Sequence, residues 1–239
     1  VSHLHRLEQT RRDFVANASH ELRTPLTVLS GYIDMMEQET GEELAAWRMP
    51  VTEMRNQALR MQRIITDLLK LARLESATLD VGLEPIDVAE VIRELEDEAR
   101  ELSQGKHELL FEIEPDIQLT GRRSELYSCL SNLVFNALQY TPSGGRIEVR
   151  WWRDERGAHF SVRDTGIGVS TRDLPRLTER FYRVDVARSR ETGGTGLGLA
   201  IVKHALERHQ GELEIESEEG KGSCFTCHFP AERLQEQAA

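Results

Sequence analysis

Apolar side chains recur every three or four residues along two long stretches near the start of the chain. In the first stretch they are Val15, Ala18, Leu22, Pro25, Leu29, Tyr32 and Met36. In the second stretch they are Val51, Met54, Ala58, Met61, Ile65, Leu68 and Ala72. Heptad spacing of this kind is typical of helices that pack along a seam. The pattern predicts one helix to about Glu39, a break at Thr40 and Gly41, and a second helix ending near Ser76. Together they would form an antiparallel hairpin.

Apolar residues of the second stretch also lie outside its seam, at Ile64, Leu69 and Leu71. A single hairpin would leave much of these side chains uncovered. Two hairpins paired in a four-helix bundle would bury both seams and the extra residues as well. The helical part of the sequence therefore predicts a homodimer.

Beyond the second helix the apolar pattern changes to short strands mixed with helices. Strands are predicted at 85–88, 107–114, 117–120, 146–153, 159–163, 212–216 and 224–229, and helices at 88–103, 124–140 and 196–209. The stretch 169–192 is polar and shows no clear periodicity. Two antiparallel hairpins among these strands favour an α+β fold, a helical-hairpin domain followed by a sandwich with its helices on one face.

These changes of pattern divide the chain into four parts. We expect a dimerisation domain at 1–78, a linker at 79–85, a second domain at 86–231 and a C-terminal tail at 232–239. A chain of 239 residues is long enough for two modest domains. It begins with Val1 rather than Met, so we expect a piece of a longer protein.

Composition and charge exclude several classes of function. The formal net charge of −11 argues against a nucleic-acid-binding surface, which needs a basic stripe. No apolar run approaches the roughly 20 residues that span a bilayer. Three cysteines are a sparse set, consistent with a reducing cytosol. Cys224 and Cys227 lie three apart in a predicted strand and should point to opposite faces, which disfavours a redox or zinc motif.

A solvent-facing histidine is predicted in the first helix. On the heptad register His20 falls at position f, furthest from the seam, and Thr24 lies one turn further on the same face. Pro25 cannot donate to the carbonyl of Glu21, so the helix should kink just after the histidine. Taken alone, this stretch fits an ordinary surface histidine equally well.

Two glycine-rich loops carry a stronger signal. The loop 164–168 follows a strand, and its first residue, Asp164, could accept a hydrogen bond from the exocyclic amine of adenine. The loop 193–199 opens a helix, whose free N–H groups favour phosphate. The second loop is neither a Walker A nor a Rossmann sequence. Their order, with a polar stretch between them, predicts a nucleotide site.

Two asparagines lie on one face of the strongly apolar helix predicted at 124–140, which precedes both loops. Asn132 and Asn136 are four residues apart. Side-chain amides on an apolar helix need partners, and hydrated Mg²⁺ that bridges phosphates is one candidate. Hydrogen bonding within the core is the other.

At this point the sequence resembles the bacterial sensor histidine kinases. Five segments match, in order, the H, N, G1, F and G2 boxes of that family: 20–25, 132–141, 164–168, 179–181 and 194–199. The match covers almost the whole chain. The run 177–185 with 187–190 is similar to the phosphate-regulon branch of the family. The resemblance implies a sandwich of the Bergerat (GHKL) type in the second domain.

The resemblance also implies roles for individual residues. His20 is similar to the phosphorylated histidine, Glu21 to the base that orients it, and Thr24 to the residue that positions water during dephosphorylation of the partner. Asn136 resembles the Mg²⁺ ligand, Tyr140 the residue that packs on adenine, and Asp164 the adenine reader. The implied ATP-binding set is Asn132, Asn136, Gln139, Tyr140, Asp164, Gly166, Gly168, Phe181, Gly194, Thr195, Gly196, Leu197, Gly198 and Leu199.

One residue departs from the family pattern. The family often has Lys at the position of Gln139, where it would meet phosphate. Weaker nucleotide binding, or a substitute arginine from the polar stretch, would follow. The implied cofactors are ATP and Mg²⁺.

The implied partners are a second copy of the chain and a response-regulator receiver domain that accepts the phosphoryl group on aspartate. The resemblance further implies the cytoplasmic portion of an inner-membrane sensor, with phosphatase activity toward the regulator. Two other interpretations stay open. One is a GHKL ATPase that does not phosphorylate itself, and the other is a silent dimeric adaptor that binds nucleotide.

Overall fold

The structure is a computed structural model that describes residues 22–34, 48–76, 83–184 and 194–235. The described residues form two compact units. The first contains those up to Leu69 together with Gly194 and Thr195, and the second contains the rest.

The first unit contains helical residues 22–34, here called α1, and most of helix α2, which spans Arg48–Ser76. In α1 the predicted seam is the less exposed face, since Pro25 is buried and Leu22, Leu29 and Tyr32 are half-buried. The remainder of the first predicted helix lies outside the described residues.

The burial of α2 differs from the prediction in one respect. Ile64 and Leu71 are 0% exposed within a single chain, so the expectation that they need a second hairpin for cover is wrong. Their burial comes from the folded chain, which the heptad argument did not consider. Leu69 is 56% exposed, as expected. The first position of each heptad is exposed along the whole helix. The residues at this position are Val51, Ala58, Ile65 and Ala72.

The second unit alternates helices and strands in the order predicted. Its helices are α3 (Val88–Ser103), α4 (Arg123–Tyr140) and α5 (Gly198–Arg208). Its strands are β1 (Glu84–Asp87), β2 (Glu108–Ile113), β3 (Gln118–Gly121), β4 (Arg146–Asp154), β5 (Gly157–Asp164), β6 (Glu212–Glu218), β7 (Gly222–Pro230) and β8 (Leu234–Gln235). Short 3₁₀ helices lie at Leu174–Arg176 and Ala231–Arg233.

The strands form a large and a small sheet. The five-stranded sheet has the order β2-β4-β5-β7-β6, in which β2 pairs parallel to β4 and the other pairs are antiparallel. The three-stranded sheet has the order β1-β3-β8. The core contains the apolar residues of β4 and β5 that alternate along each strand, with Trp151 and Phe160 among its largest fully buried side chains. Helix α4 lies at its centre, in contact with α3, α5, β4 and β5.

Strand boundaries differ from the prediction at both ends of the second unit. Strand β1 begins at Glu84, within the residues assigned to the linker, because Glu84 pairs with Gly121. Strand β8 lies in the expected tail and pairs with β3, Gln118 opposite Gln235. Strand β1 was therefore predicted one residue late, at 85–88, whereas the two residues of β8 are too few to show an alternating pattern.

Candidate functional site

Helix α4 carries four of the candidate residues near its C-terminal end. Leu133, Val134 and Ala137 are buried in the core, while the candidates, Asn132, Asn136, Gln139 and Tyr140, are half-buried. The apolar residues therefore fix the helix and present the polar ones along one edge.

Asn132 joins α4 to the start of α5. Its Nδ2 donates to the carbonyl oxygen of Ser128 at 2.7 Å, one turn earlier. Its Oδ1 would lie 2.5 Å from a Cβ atom placed on Gly198, the first residue of α5. A side chain at position 198 would thus collide with Asn132. This contact explains the glycine and puts the N and G2 sequences side by side.

Asp164 lies at the end of β5 and is 7% exposed. Its Oδ1 accepts a hydrogen bond from the backbone N–H of Gly166 at 2.8 Å. Burial raises the pKa of Asp164, and hydrogen bonds from the backbone amides of Gly166 and Ser223 partly oppose that effect. A carboxylate has about four lone-pair sites, so Asp164 retains capacity to accept a donor from a ligand.

The loop after Asp164 packs on the C-terminal end of α4. The N–H of Ile167 donates to the carbonyl oxygen of Tyr140 at 3.2 Å. A Cβ on Gly166 would lie 2.6 Å from the same oxygen. Gly168 has a φ of +64° and lies close to the carbonyl of Glu218. These contacts bring the N and G1 sequences together.

Gln139 is the residue that departs from the family pattern. Its Nε2 is buried and has no hydrogen-bond partner among the described residues. Leaving a buried donor unmatched costs about 1–3 kcal/mol. An acceptor on a bound ligand, such as a phosphate oxygen, would remove that cost.

The start of α5 has neither a side-chain cap nor a negative charge. The cap residue Leu197 supplies no side-chain hydrogen bond, and the first turn contains no acidic residue. Gly196, with a φ of +70°, accepts a hydrogen bond from the N–H of Phe181 at 2.8 Å. Phe181 itself has a φ of +63°. The F and G2 sequences therefore meet directly before the helix.

A regular pattern precedes Phe181 that the sequence analysis missed. Every third residue from Ser170 to Tyr182 is joined by backbone hydrogen bonds. Four backbone N–H groups each donate to the carbonyl three residues earlier. They belong to Asp173, Arg176, Glu179 and Tyr182, and the distances are 2.9, 3.0, 2.9 and 3.3 Å. We call residues 170–182 the period-three segment. These are successive backbone turns, and the five residues share no apolar or polar property, so the sequence pattern at 169–192 gave no sign of them.

The second unit thus brings most of the candidate residues together. Contacts link Asn132 to Gly198, Tyr140 to Gly166, and Phe181 to Gly196. Asn136 lies on α4 one turn after Asn132, and Leu197 is buried while Leu199 is half-buried.

Five candidates lie elsewhere. Gly194 and Thr195 belong to the first unit, as does Thr24, which is exposed on α1. His20 and Glu21 lie outside the described residues. The structure therefore describes the geometry of the nucleotide candidates but not that of the histidine.

The amide oxygens of Asn132 and Asn136 suit Mg²⁺, which takes oxygen ligands and keeps several waters. No group of three or more His, Cys, Asp or Glu side chains arranged to hold a metal occurs in the described part of the chain. A magnesium ion at α4 would therefore rely on amide and phosphate oxygens.

Among the described helices, none has the length and hydropathy that crossing a membrane requires.

Two family descriptions match the chain, one for each part. Residues 10–77 match the His Kinase A (phospho-acceptor) domain. Residues 121–233 match the family of histidine kinase-, DNA gyrase B- and HSP90-like ATPases. The second match contains α4, the two glycine loops and the period-three segment. The predicted order, a helical region followed by a GHKL-type α/β domain, is confirmed.

Individual proteins agree with these matches. The phosphate regulon sensor protein PhoR of Pseudomonas aeruginosa is 52% identical over 99% of this chain and 54% of its own length. The protein of the same name from Haemophilus influenzae is 39% identical over 94% of this chain and 52% of its own. The structure of full-length ShkA in complex with AMPPNP has a TM-score of 0.66 at 26% identity, covering 95% of this chain and 47% of ShkA. The chain spans about half the length of the curated relatives it matches.

Proposed function

Because the chain belongs to the sensor histidine kinases, we propose that it phosphorylates His20 with ATP and passes the phosphoryl group to an aspartate of a response regulator. The observation that carries this proposal is that four separate sequences meet along α4 and at the start of α5. Asn132 contacts Gly198, Tyr140 contacts Gly166, and Phe181 bonds to Gly196. Ordinary turn glycines would not require these contacts between distant segments.

Asp164 is the residue that recognises the base. An ionised carboxylate accepts hydrogen bonds and cannot donate them. The exocyclic amine of adenine is a donor, whereas the corresponding oxygen of guanine is an acceptor and would be repelled. The site therefore selects ATP over GTP, with Tyr140 beside the base.

The phosphates lie at the start of α5. Free N–H groups and the helix dipole at this end favour negative charge. Gly196 and Gly198 let the backbone approach closely, and Gln139 supplies its unmatched Nε2 from the side of α4. Asn136, with Asn132 beside it, would hold Mg²⁺, which would offset the charge of the phosphates.

His20 is the nucleophile. One ring nitrogen forms a bond to the γ-phosphorus as the bond to the ADP oxygen breaks in line. Glu21 hydrogen-bonds the other ring nitrogen, which fixes the tautomer, and accepts its proton as the phosphoryl group arrives. Thr24, exposed on α1, positions water when the regulator is dephosphorylated. The domains at 1–78 and 86–231 carry the two halves of the reaction, and motion at the linker brings them together.

The partners follow from the helical part. The exposed heptad positions on α2, from Val51 to Ala72, suit a homodimer of four helices. The receiver domain of a regulator docks on the His20 face of α1. The relatives' name, phosphate regulon sensor protein, supports phosphate-limitation signalling as the pathway. We further propose that the whole protein is anchored in the inner membrane and that this portion is cytoplasmic.

Gln139 favours a second candidate function. Without the lysine that is frequent at this position, the chain could bind nucleotide as a dimeric adaptor and titrate the regulator without phosphorylating itself. A GHKL ATPase that releases phosphate is the other alternative. All of these functions share the nucleotide site and differ at His20.

One incubation with γ-labelled ATP and Mg²⁺ separates them. We expect acid-labile label on the wild-type chain and none on His20→Ala, while the two bind ATP equally, because the histidine and the nucleotide site are in different domains. The control is His204→Ala on α5, whose partner at 3.2 Å is Glu207 and which should label normally. Free phosphate without protein label would favour the ATPase, and neither product would favour the adaptor. Label that persists on His20→Ala would remove His20 from its role.

A further inference from the structure

Tyr182 is held by two side chains of the period-three segment. Its hydroxyl donates to Asp173 Oδ1 at 2.7 Å, and the guanidinium carbon of Arg176 lies 4.1 Å from the centre of its ring. Asp173 is fixed in turn, since its Oδ2 accepts from the Ser170 hydroxyl at 2.8 Å. The bond between them lowers the pKa of Asp173 and raises the pKa of Tyr182. A charge-assisted hydrogen bond therefore closes the segment on itself.

The residue before Tyr182 has a sparsely populated backbone conformation. Phe181 has a φ of +63°, which is uncommon for a bulky residue and persists only where the surroundings over-determine it. Its N–H donates to the Gly196 carbonyl oxygen at 2.8 Å. A Cβ on Gly196 would lie 2.9 Å from the Cα of Phe181, so the two backbones are in direct contact. Phe181 is thus fixed on one side by Gly196 and on the other by its neighbour Tyr182.

We propose that Tyr182 and Asp173 are positioning residues for nucleotide binding, because their hydrogen bond holds Phe181 against Gly196 at the start of α5. The inference rests on the proposed function, which puts the phosphates at that end of the helix. The two side chains act through the backbone of Phe181. Their bond fixes the left-handed conformation of Gly196 and so the direction of the N–H groups that follow it.

The test variant is Tyr182→Phe, which removes the hydroxyl and keeps the ring beneath Arg176. The matched control is Tyr127→Phe. The Tyr127 hydroxyl also donates to a carboxylate, that of Glu98, at 2.7 and 2.8 Å, but it joins α4 to α3. The measurements are the dissociation constant of Mg·ADP and the melting temperature of the full chain.

We expect Tyr182→Phe to weaken Mg·ADP binding about three- to tenfold. Tyr127→Phe should leave the Mg·ADP affinity unchanged within about twofold. The two variants should change the melting temperature by similar amounts, since each loses one hydrogen bond. Asp173→Asn should weaken binding less, because the amide oxygen still accepts from Tyr182. The double variant should match Tyr182→Phe alone, since both changes act on one bond.

If Tyr182→Phe binds Mg·ADP as tightly as the wild type, the inference is overturned, and the hydrogen bond serves only to stabilise the fold. An equal loss in Tyr127→Phe would do the same, by attributing the effect to general loosening of the domain. Should Tyr182→Phe fail to fold, Asp173→Ala removes the acceptor of the same hydrogen bond and carries the comparison instead. A wild-type chain that binds no ADP would instead contradict the proposed function itself.

Discussion

Asp164 combines recognition with a cost to folding. Burial raises the pKa of this carboxyl, which means that the surroundings disfavour its ionised form. A raised pKa in the folded state gives stability that is present below the usual aspartate range and is lost as the pH rises through the raised value. Above that raised pKa the ionised carboxylate therefore lowers the stability of the second unit.

Asp164→Asn should separate the two effects. The amide oxygen can still accept from Gly166, so we expect an equal or higher melting temperature at neutral pH. ATP affinity should fall by about 1–3 kcal/mol, because an amide matches the adenine amine less well and a buried group is left unpaired. Calorimetry of ATP binding and thermal melts measure both quantities.

The stability gain of Asp164→Asn should shrink as the pH falls toward the ordinary aspartate range, where the wild-type side chain is neutral too. Asp97→Asn, on the exposed face of α3, is the control and should change neither quantity. Unaltered ATP affinity in Asp164→Asn would show that the base binds elsewhere.

At this scale the order of the two glycine loops and the family resemblance pointed to Asp164, Asn132 and the glycines, since glycine clusters alone usually only make turns. They were not sufficient to find the contacts of these residues. The close approach of Gly198 to Asn132 joins residues 66 positions apart (198 − 132), and only the folded core sets that distance.

Among the elements, α1 offers the clearest test of partner docking. Gly31 is exposed, and a Cβ placed on it would have no neighbour within 4 Å. A glycine inside a helix costs about 1 kcal/mol relative to alanine. Open space around it indicates that packing within the chain does not require this glycine. Thr27 and Asp34 are exposed on the same face.

Gly31→Leu should therefore slow phosphotransfer to the regulator, about tenfold, or ~1.4 kcal/mol, through a clash with the docked receiver domain. Dimer mass and autophosphorylation should be unchanged, and the helix should gain stability from the lost glycine. A time course from pre-labelled kinase measures the transfer. Ser30→Leu, also exposed and about 100° around the helix, is the control. Normal transfer in Gly31→Leu, or a dissociated dimer, would contradict docking on this face.

Elements were predictable where local chemistry marks their ends. Helix α3 has the predicted bounds, because Asp87 caps it by accepting from the N–H of Glu90 and Gln104 ends it in a left-handed conformation. The two residues of β8 carry no such signal, and their pairing with β3 depends on residues far away in sequence. The period-three segment was missed for a different reason, since its backbone turns leave no repeating apolar pattern in the sequence.

For the whole molecule, the assembly is the property most open to test. Ile65 is 47% exposed and Val51 is 49% exposed in the single chain, and both belong to the same heptad position of α2. Ile65→Glu would put an unpaired charge into an apolar helix interface, which costs several kcal/mol. We expect this variant to be monomeric by sedimentation at concentrations where the wild type is a dimer.

Asn56→Glu adds the same charge at an exposed position off the seam and should leave the dimer intact. A dimeric Ile65→Glu would mean that the chain pairs through another surface. The heptad pattern predicted this seam, but it could not show that Ile64 and Leu71 are already covered. That distinction needs the tertiary structure, because the two kinds of apolar residue look alike in sequence.

Strand β3 has a further consequence for how the second unit could be rebuilt. Asp87 of β1 and Gln235 of β8 lie on opposite sides of the same residue, Gln118. Two inter-strand spacings separate them, about 10 Å. The first and last strands of this unit are therefore near neighbours that run parallel to each other. A loop long enough to cross β3 and return from Gln235 to Glu84 could join them. New ends could then be opened at the exposed turn between Asp154 and Gly157, a circular permutation that leaves every strand pairing of both sheets in place.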